Sequence, residues 1–148
     1  MANFSGKVHG GAILKKLDEV AFACASRYSG HYVVTLSVDQ VLFKQPIHVG
    51  ELVTFLACVN HVGRSSMEIG IKVVAEDIRN KLIRHTNSCY LTMVAIDAEG
   101  KPASVPPLTL ATPLQKLRFE KAALRKKLRK QAEQEELLTQ QQHQSQAQ

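Results

Sequence analysis

The chain contains no tryptophan, 5% aromatic residues and three cysteines, and no apolar run approaches the roughly 20 residues that a membrane-spanning helix needs. These scarcities exclude several classes of protein. With so few rings there is little to stack on nucleobases, so the net charge of +6 does not by itself point to nucleic acid. Cys24, Cys58 and Cys89 lie far apart in apolar surroundings, and no CxxC pair occurs. An odd, scattered set suits buried thiols in a reducing cytoplasm better than a disulfide framework or a zinc site. The opening segment is mixed polar and glycine-rich and lacks the continuous apolar stretch of a secretory signal. The expectation is a cytoplasmic protein with no membrane span and no bound metal.

What is present fits one domain: 148 residues with 45% hydrophobic content support a single core. The charge is unevenly placed. Residues 1–113 hold eleven basic against nine acidic side chains, whereas residues 114–148 hold eight against four, with all eight cations between positions 116 and 130. The first part is close to neutral, and the basicity belongs mostly to a tail.

The pattern along the chain predicts a helix followed by strands. After Gly10-Gly11, the stretch AILKKLDEVAFACASRY lacks proline and glycine and is rich in alanine and leucine, which predicts a helix over about 11–28. Its second half, 20–25, is apolar all round, which predicts burial on all sides. HYVVTLSVDQVLF and ELVTFLACVNHV read as strands, and SMEIGIKVVAE alternates apolar and polar positions most clearly. Residues 82–97 form one long strand or two broken near Asn87. Turn chemistry separates these runs at Gln45-Pro46, Gly50, Gly63-Arg64 and the polar stretch 77–81. Strands in succession without intervening helices favour short antiparallel connections. The expected fold is therefore α+β: one central helix wrapped by a long antiparallel sheet over residues 1–110. A basic helix is expected over 111–138, with Leu114, Leu117, Leu124 and Leu128 at partly helical spacing. A glutamine-rich end, 139–148, has the composition of a disordered tail.

Asp18 is the leading candidate for chemistry. At helical spacing its neighbours include Leu14, Leu17, Ala21, Phe22 and Ala25, and a carboxylate on such a stripe finds a donor or shifts its pKa. Perturbed carboxylates serve as general bases or nucleophiles; the plainer reading is a surface acid in the first turns of a helix. Gly10-Gly11 allows a ligand close to backbone N–H groups that could receive an oxyanion, or forms a tight turn and no more. His9 stands beside these glycines as a proton shuttle or a turn residue. Asn3 could orient water or substrate through its amide. The Gly63-Arg64-Ser65-Ser66 turn offers a guanidinium and two hydroxyls suited to phosphate, as a polar hairpin turn also would.

Taken in order, the motifs are more specific than any one of them. Asn3-x-x-Gly6-x-Val8-His9-Gly10-Gly11 and Leu14-x-x-Leu17-Asp18-Glu19 resemble the opening of the acyl-CoA hydrolases typified by the brain-type cytosolic enzyme and its bacterial single-domain relatives. The resemblance continues through Val34-Thr35-x-Ser37-Val38-Asp39, Phe43-x-x-Pro46-x-x-Val49-Gly50 and Gly63-Arg64-x-Ser66-Met67-Glu68. It closes with Val94-Ala95-x-Asp97-x-x-Gly100-Lys101-Pro102-x-x-Val105-Pro106. This resemblance implies the hot-dog fold, paired so that two sheets join, with three such dimers forming a hexamer. It implies that Asp18 is the catalytic acid, that Asn3 comes from the neighbouring subunit, and that the Gly11 amide polarises the thioester carbonyl. His9 and Gly10, with Arg64, Ser65 and Ser66, then hold the substrate and its coenzyme A, and no cofactor beyond that coenzyme A is implied. Two departures stand out: only Met1 and Ala2 precede Asn3, and Leu17 stands where methionine is common, a volume-conserving exchange.

Three other readings fit parts of the same pattern. A hot-dog dehydratase acting on hydroxyacyl thioesters would use His9 with Asp18. A non-catalytic acyl-CoA sensor would keep Asp18 as structure. The basic tail could contact nucleic acid or an anionic membrane, although no base-reading motif accompanies it, or could draw in polyanionic coenzyme A.

Overall fold

The structure, a computed structural model, describes residue 2 and residues 5–147. The element order is α1 (Gly10–Ser29), β1 (Tyr32–Phe43), β2 (Leu52–Val62), β3 (Ser66–Asp77), β4 (Leu82–Ile96) and α2 (Pro113–Gln146). Two compact units result, one reaching Leu108 and one beginning at Thr109. No helix among the described residues is long and apolar enough to cross a membrane.

In the first unit the four strands form one antiparallel sheet in the order β1-β4-β3-β2. β2–β3 and β3–β4 are hairpins, so β1 and β2 are left as edges. The helix α1 crosses one face and touches all four strands. Ile13, Leu17, Ala21 and Ala25 recur every fourth residue, and all four are buried. They meet Met67, Ile69, Ile71 and Val73 of β3 and Cys89, Leu91, Met93 and Ala95 of β4 in one core. The two alanines are fully covered, and their small side chains let the helix axis lie close to the sheet. The helix ends where Gly30 adopts a left-handed conformation, φ 70°, and its N–H donates to the Ser26 carbonyl. This is the wrapped-helix, hot-dog architecture that the sequence predicts.

Of the two forms open to residues 82–97, the structure takes the single strand, and the irregularity near Asn87 is a register shift against Val73 and Val74. Two details differ from expectation. The helix α1 is not covered all round: Leu14 and Phe22 are 41% and 40% exposed. A four-stranded sheet covers only one side of the helix, which leaves an open flank beside β1. The glutamine-rich end is helical through Gln146, where composition predicts loss of order. No glycine or proline follows Pro113, and glutamine and alanine are good helix formers. A capping box starts α2: Thr112 Oγ1 accepts from the Gln115 N–H, and Gln115 Oε1 accepts from the Thr112 N–H.

A polar crossing sits at the register shift between Val59 and His61 of β2. Asn60, 4% exposed, donates through Nδ2 to Glu68 Oε1 at 3.1 Å and accepts from the Cys58 thiol at 3.1 Å. Its amide passes over Gly70, where an added Cβ would lie 2.4 Å from Nδ2. Glycine-to-alanine in a strand ordinarily stabilises. Here Gly70→Ala forces the buried amide aside and is expected to cost about 1–3 kcal/mol, read as a lower urea midpoint.

Glu51 anchors the loop before β2. Its carboxylate accepts from Arg84 and from the His48 N–H. Burial opposes its ionisation, but the Arg84 and His48 hydrogen bonds outweigh that and hold its pKa below the usual 4.5. A depressed carboxylate contributes stability that is present above its unfolded pKa and is lost as pH falls through the folded one. The melting temperature of the Glu51→Gln variant is therefore expected to fall less than that of the wild type on acidification below about pH 4.5.

Candidate active site

The candidate residues lie along α1 and its open flank. His9 is the N-cap, with extended φ −66° and ψ 135°, and its Nδ1 accepts the Gly11 N–H at 3.1 Å. Gly11 is therefore not the free donor that the sequence suggests; an imidazole already caps it. Gly10 sits against the far end of β1, where an added Cβ would lie 3.9 Å from Phe43 Cζ. Asn3 lies outside the described residues.

Asp18 occupies the exposed flank between Leu14 and Phe22, the i−4 and i+4 positions of one helical stripe. In a single chain it is exposed rather than buried. Its partner is Thr35 of β1, whose hydroxyl donates to Oδ1 at 2.6 Å. In the sequence Thr35 stands within a motif with no sign of a role; what spacing does not encode is that β1 runs back along α1 with Thr35 beside Asp18. This bond fixes one carboxylate oxygen and leaves Oδ2 for another proton donor. A Phe22–Tyr32 edge-to-face contact, 5.8 Å between ring centres, closes the flank further along.

The Gly63–Ser66 turn sits at the same end of the sheet. Thr35 pairs with Met93, and Met93 with Met67, so Met67 lies two strands across from Thr35, about 10 Å at ordinary strand spacing, and Ser66 is its neighbour, in line with Val34. The Arg64 and Ser65 carbonyls accept from the Val105 and Ala95 N–H groups, which ties the turn to the segment after β4. Arg64 is exposed and Ser65 and Ser66 are half-buried.

The structure does not bring all the candidates together within one chain. Gly11 and Asp18 are seven residues apart on a helix that rises 1.5 Å per residue, a separation of about 10 Å. One carbonyl carbon cannot be held by both. A cleft of about 800 Å³ lies between the loop before β2 and the β3–β4 turn, with His48, Glu51, Arg79 and Arg84 in its wall. The Arg84 guanidinium there is committed to Glu51, Gln45 and the Pro46 carbonyl.

The outer side of β1 is apolar. Tyr32, Val34, Leu36, Val38, Leu42 and Phe43 are all exposed, Leu36 by 63%. A long edge strand of this kind is ordinarily covered by another strand.

Comparison with known proteins gives this geometry a setting. The protein VdlD of Helicobacter pylori is 52% identical over 128 residues, spanning 86% of this chain and 73% of its own length. The cytosolic acyl coenzyme A thioester hydrolase of Rattus norvegicus is 36% identical over 117 residues; these span 78% of this chain and 31% of the rat protein. Among solved structures, a hexameric acyl-CoA thioesterase superposes with a TM-score of 0.85 at 36% identity, covering 88% of this chain and 83% of that one. The acyl-CoA hydrolase of Staphylococcus aureus, solved with butyryl coenzyme A and coenzyme A, gives 0.85 at 33% identity over 93% and 84% of the two chains. That enzyme has also been solved with alanine replacing one asparagine, one aspartate or one threonine. Those three positions are spaced as Asn3, Asp18 and Thr35 are here. The sequence pattern of the thioesterase superfamily matches residues 5–81, a span that runs from the entrance of α1 through the Asp18–Thr35 pair into the β3–β4 turn. On this match, together with the shared fold, the chain belongs to the thioesterase superfamily.

Proposed function

We propose that the protein hydrolyses acyl-CoA to a free acid and coenzyme A at a site built by two chains. The observation that carries this reading is the Asp18–Thr35 pair, which holds a carboxylate ready on the uncovered flank of α1. Thioester hydrolysis needs a base or nucleophile at the carbonyl carbon and a donor for the developing oxyanion. Asp18 supplies the first. Its Oδ2 takes a proton from water as the water oxygen bonds to the carbonyl carbon. The C–S bond then breaks, and the coenzyme A thiolate leaves and is protonated. Direct attack by Asp18, giving an anhydride that water cleaves, uses the same atom.

The second component comes from a partner. Two copies paired antiparallel along β1, about an axis near the middle of the strand, would cover its exposed apolar side chains and join two sheets into one. That arrangement would lay the Phe43 end of one chain beside the Thr35 end of the other. Gly10 lies against Phe43, so the His9-Gly10-Gly11 entrance of one chain would reach Asp18 of the other. Asn3 would join it there. The oxyanion would take the Gly11 N–H from His9, at the positive end of the α1 dipole. The same pairing would desolvate Asp18 between Leu14 and Phe22 and strengthen its interaction with Thr35. Arg64, Ser65 and Ser66 would hold the phosphates of coenzyme A at the nearby turn, and no further cofactor is required. Three such dimers would give the hexamer found in one of the solved relatives. The basic segment 116–130 would raise the local concentration of polyanionic substrate.

Coenzyme A release from a series of acyl-CoAs, followed by free-thiol detection, tests the reading. Asp18→Asn is expected to lower kcat by about 100-fold or more with assembly intact. Thr35→Val removes one hydrogen bond to a charged group and is expected to lower kcat about 10- to 100-fold with little change in KM. Acyl-CoA binding by the wild type without thiol release would favour the sensor reading instead.

A further inference from the structure

The second helix carries a feature that the thioester reading does not use. Leu114, Leu117, Leu124, Leu128 and Leu138 all fall on the two apolar positions of one unbroken seven-residue frame, with Lys121, Gln131 and Glu135 at the others. All five leucines are exposed, by 45–59%. With 34 residues, α2 is about 50 Å long. An exposed apolar seam of that length is ordinarily covered by another helix.

We propose that the seam is covered by α2 of a second copy, lying antiparallel. Charge decides the direction. All eight cations of the helix lie between positions 116 and 130, and three of its four acids, Glu133, Glu135 and Glu136, lie just beyond. A parallel pair sets the two cationic stretches side by side along their whole length. An antiparallel pair brings the acids of each helix to the basic first turns of the other. One register satisfies the apolar positions as well. With Leu124 opposite Leu128 of the other copy, Leu114 falls opposite Leu138, Lys121 opposite Gln131 and Leu117 opposite Glu135. Lys121 is then one layer from the other copy's Glu135, close enough for its ammonium to reach that carboxylate. Polar residues at seam positions fix register and direction at some cost in stability. The pairing joins chains through α2 rather than through β1. It does not depend on the thioesterase chemistry.

Oxidative cross-linking of full-length variants tests direction and register together. The double variant Leu124→Cys/Leu128→Cys is expected to give disulfide-linked dimers on a non-reducing gel, and the two single variants are expected not to. Single variants that cross-link to themselves would overturn the antiparallel arrangement, and a double variant that stays monomeric on the gel would overturn the pairing. Light scattering gives a second reading. Leu117→Gln/Leu124→Gln/Leu128→Gln, which leaves the charge of the basic segment as it is, is expected to lower the native mass while leaving the melting temperature of the Met67–Met93 core and the rate of thiol release per chain at saturating acyl-CoA unchanged. A triple variant that keeps the wild-type mass but loses binding to phosphatidylglycerol vesicles would overturn the proposal and assign the seam to a membrane surface.

Discussion

A helix advances 1.5 Å per residue, and that spacing controls what this chain can do alone. Gly11 and Asp18 lie on one helix, about 10 Å apart along its axis. A thioester carbonyl needs an oxyanion donor and a base within about 3 Å of neighbouring atoms, so one copy of α1 cannot supply both. The long β1 edge provides a way round this limit. It runs antiparallel to α1, is lined outside by exposed apolar side chains, and has Phe43 against Gly10 at one end and Thr35 bonded to Asp18 toward the other. A twofold axis through such a strand exchanges its ends. Under the proposed pairing, dimer formation and completion of the site would be one event, which would also account for the exposure of Asp18 in the isolated chain.

The fold was largely legible in the sequence because its signals are local. Alternation in the 66–76 segment, the absence of helix breakers in 11–28 and the turn residues between strands each point to one element. The ordered motifs supplied the hot-dog topology. Asp18 was legible as a carboxylate on an apolar stripe, and the stripe exists, with Leu14 and Phe22 on either side. Its exposure was not legible. Hydrophobic pattern shows that a face will be covered, but not whether the cover is the same chain or another. Thr35 gained a role only when tertiary structure brought β1 back along α1. The His9 cap on Gly11 depends on a rotamer and an extended backbone at one residue, which spacing does not encode.

The glutamine-rich end shows the opposite failure. Low complexity suggested disorder, yet glutamine, alanine and leucine all favour helix, and no breaker intervenes before Gln146. Composition and propensity pointed in different directions there, and propensity prevailed over a helix started by a complete capping box. The buried Asn60–Glu68 pair crossing Gly70 is a further feature that alternation concealed. Its glycine reads as a weak point in a strand, whereas it makes room for a polar side chain from β2.

The central claim is that each active site draws on two chains. It is tested most directly by co-expressing two inactive variants, Asn3→Ala and Asp18→Asn, with separate tags and purifying the mixed assemblies. In a mixed β1-paired dimer one of the two sites has both residues intact, so random mixing is expected to restore about a quarter of wild-type thiol release per chain. Mixed assemblies that form in good yield and remain inactive would contradict a shared site and place both residues in the service of one chain.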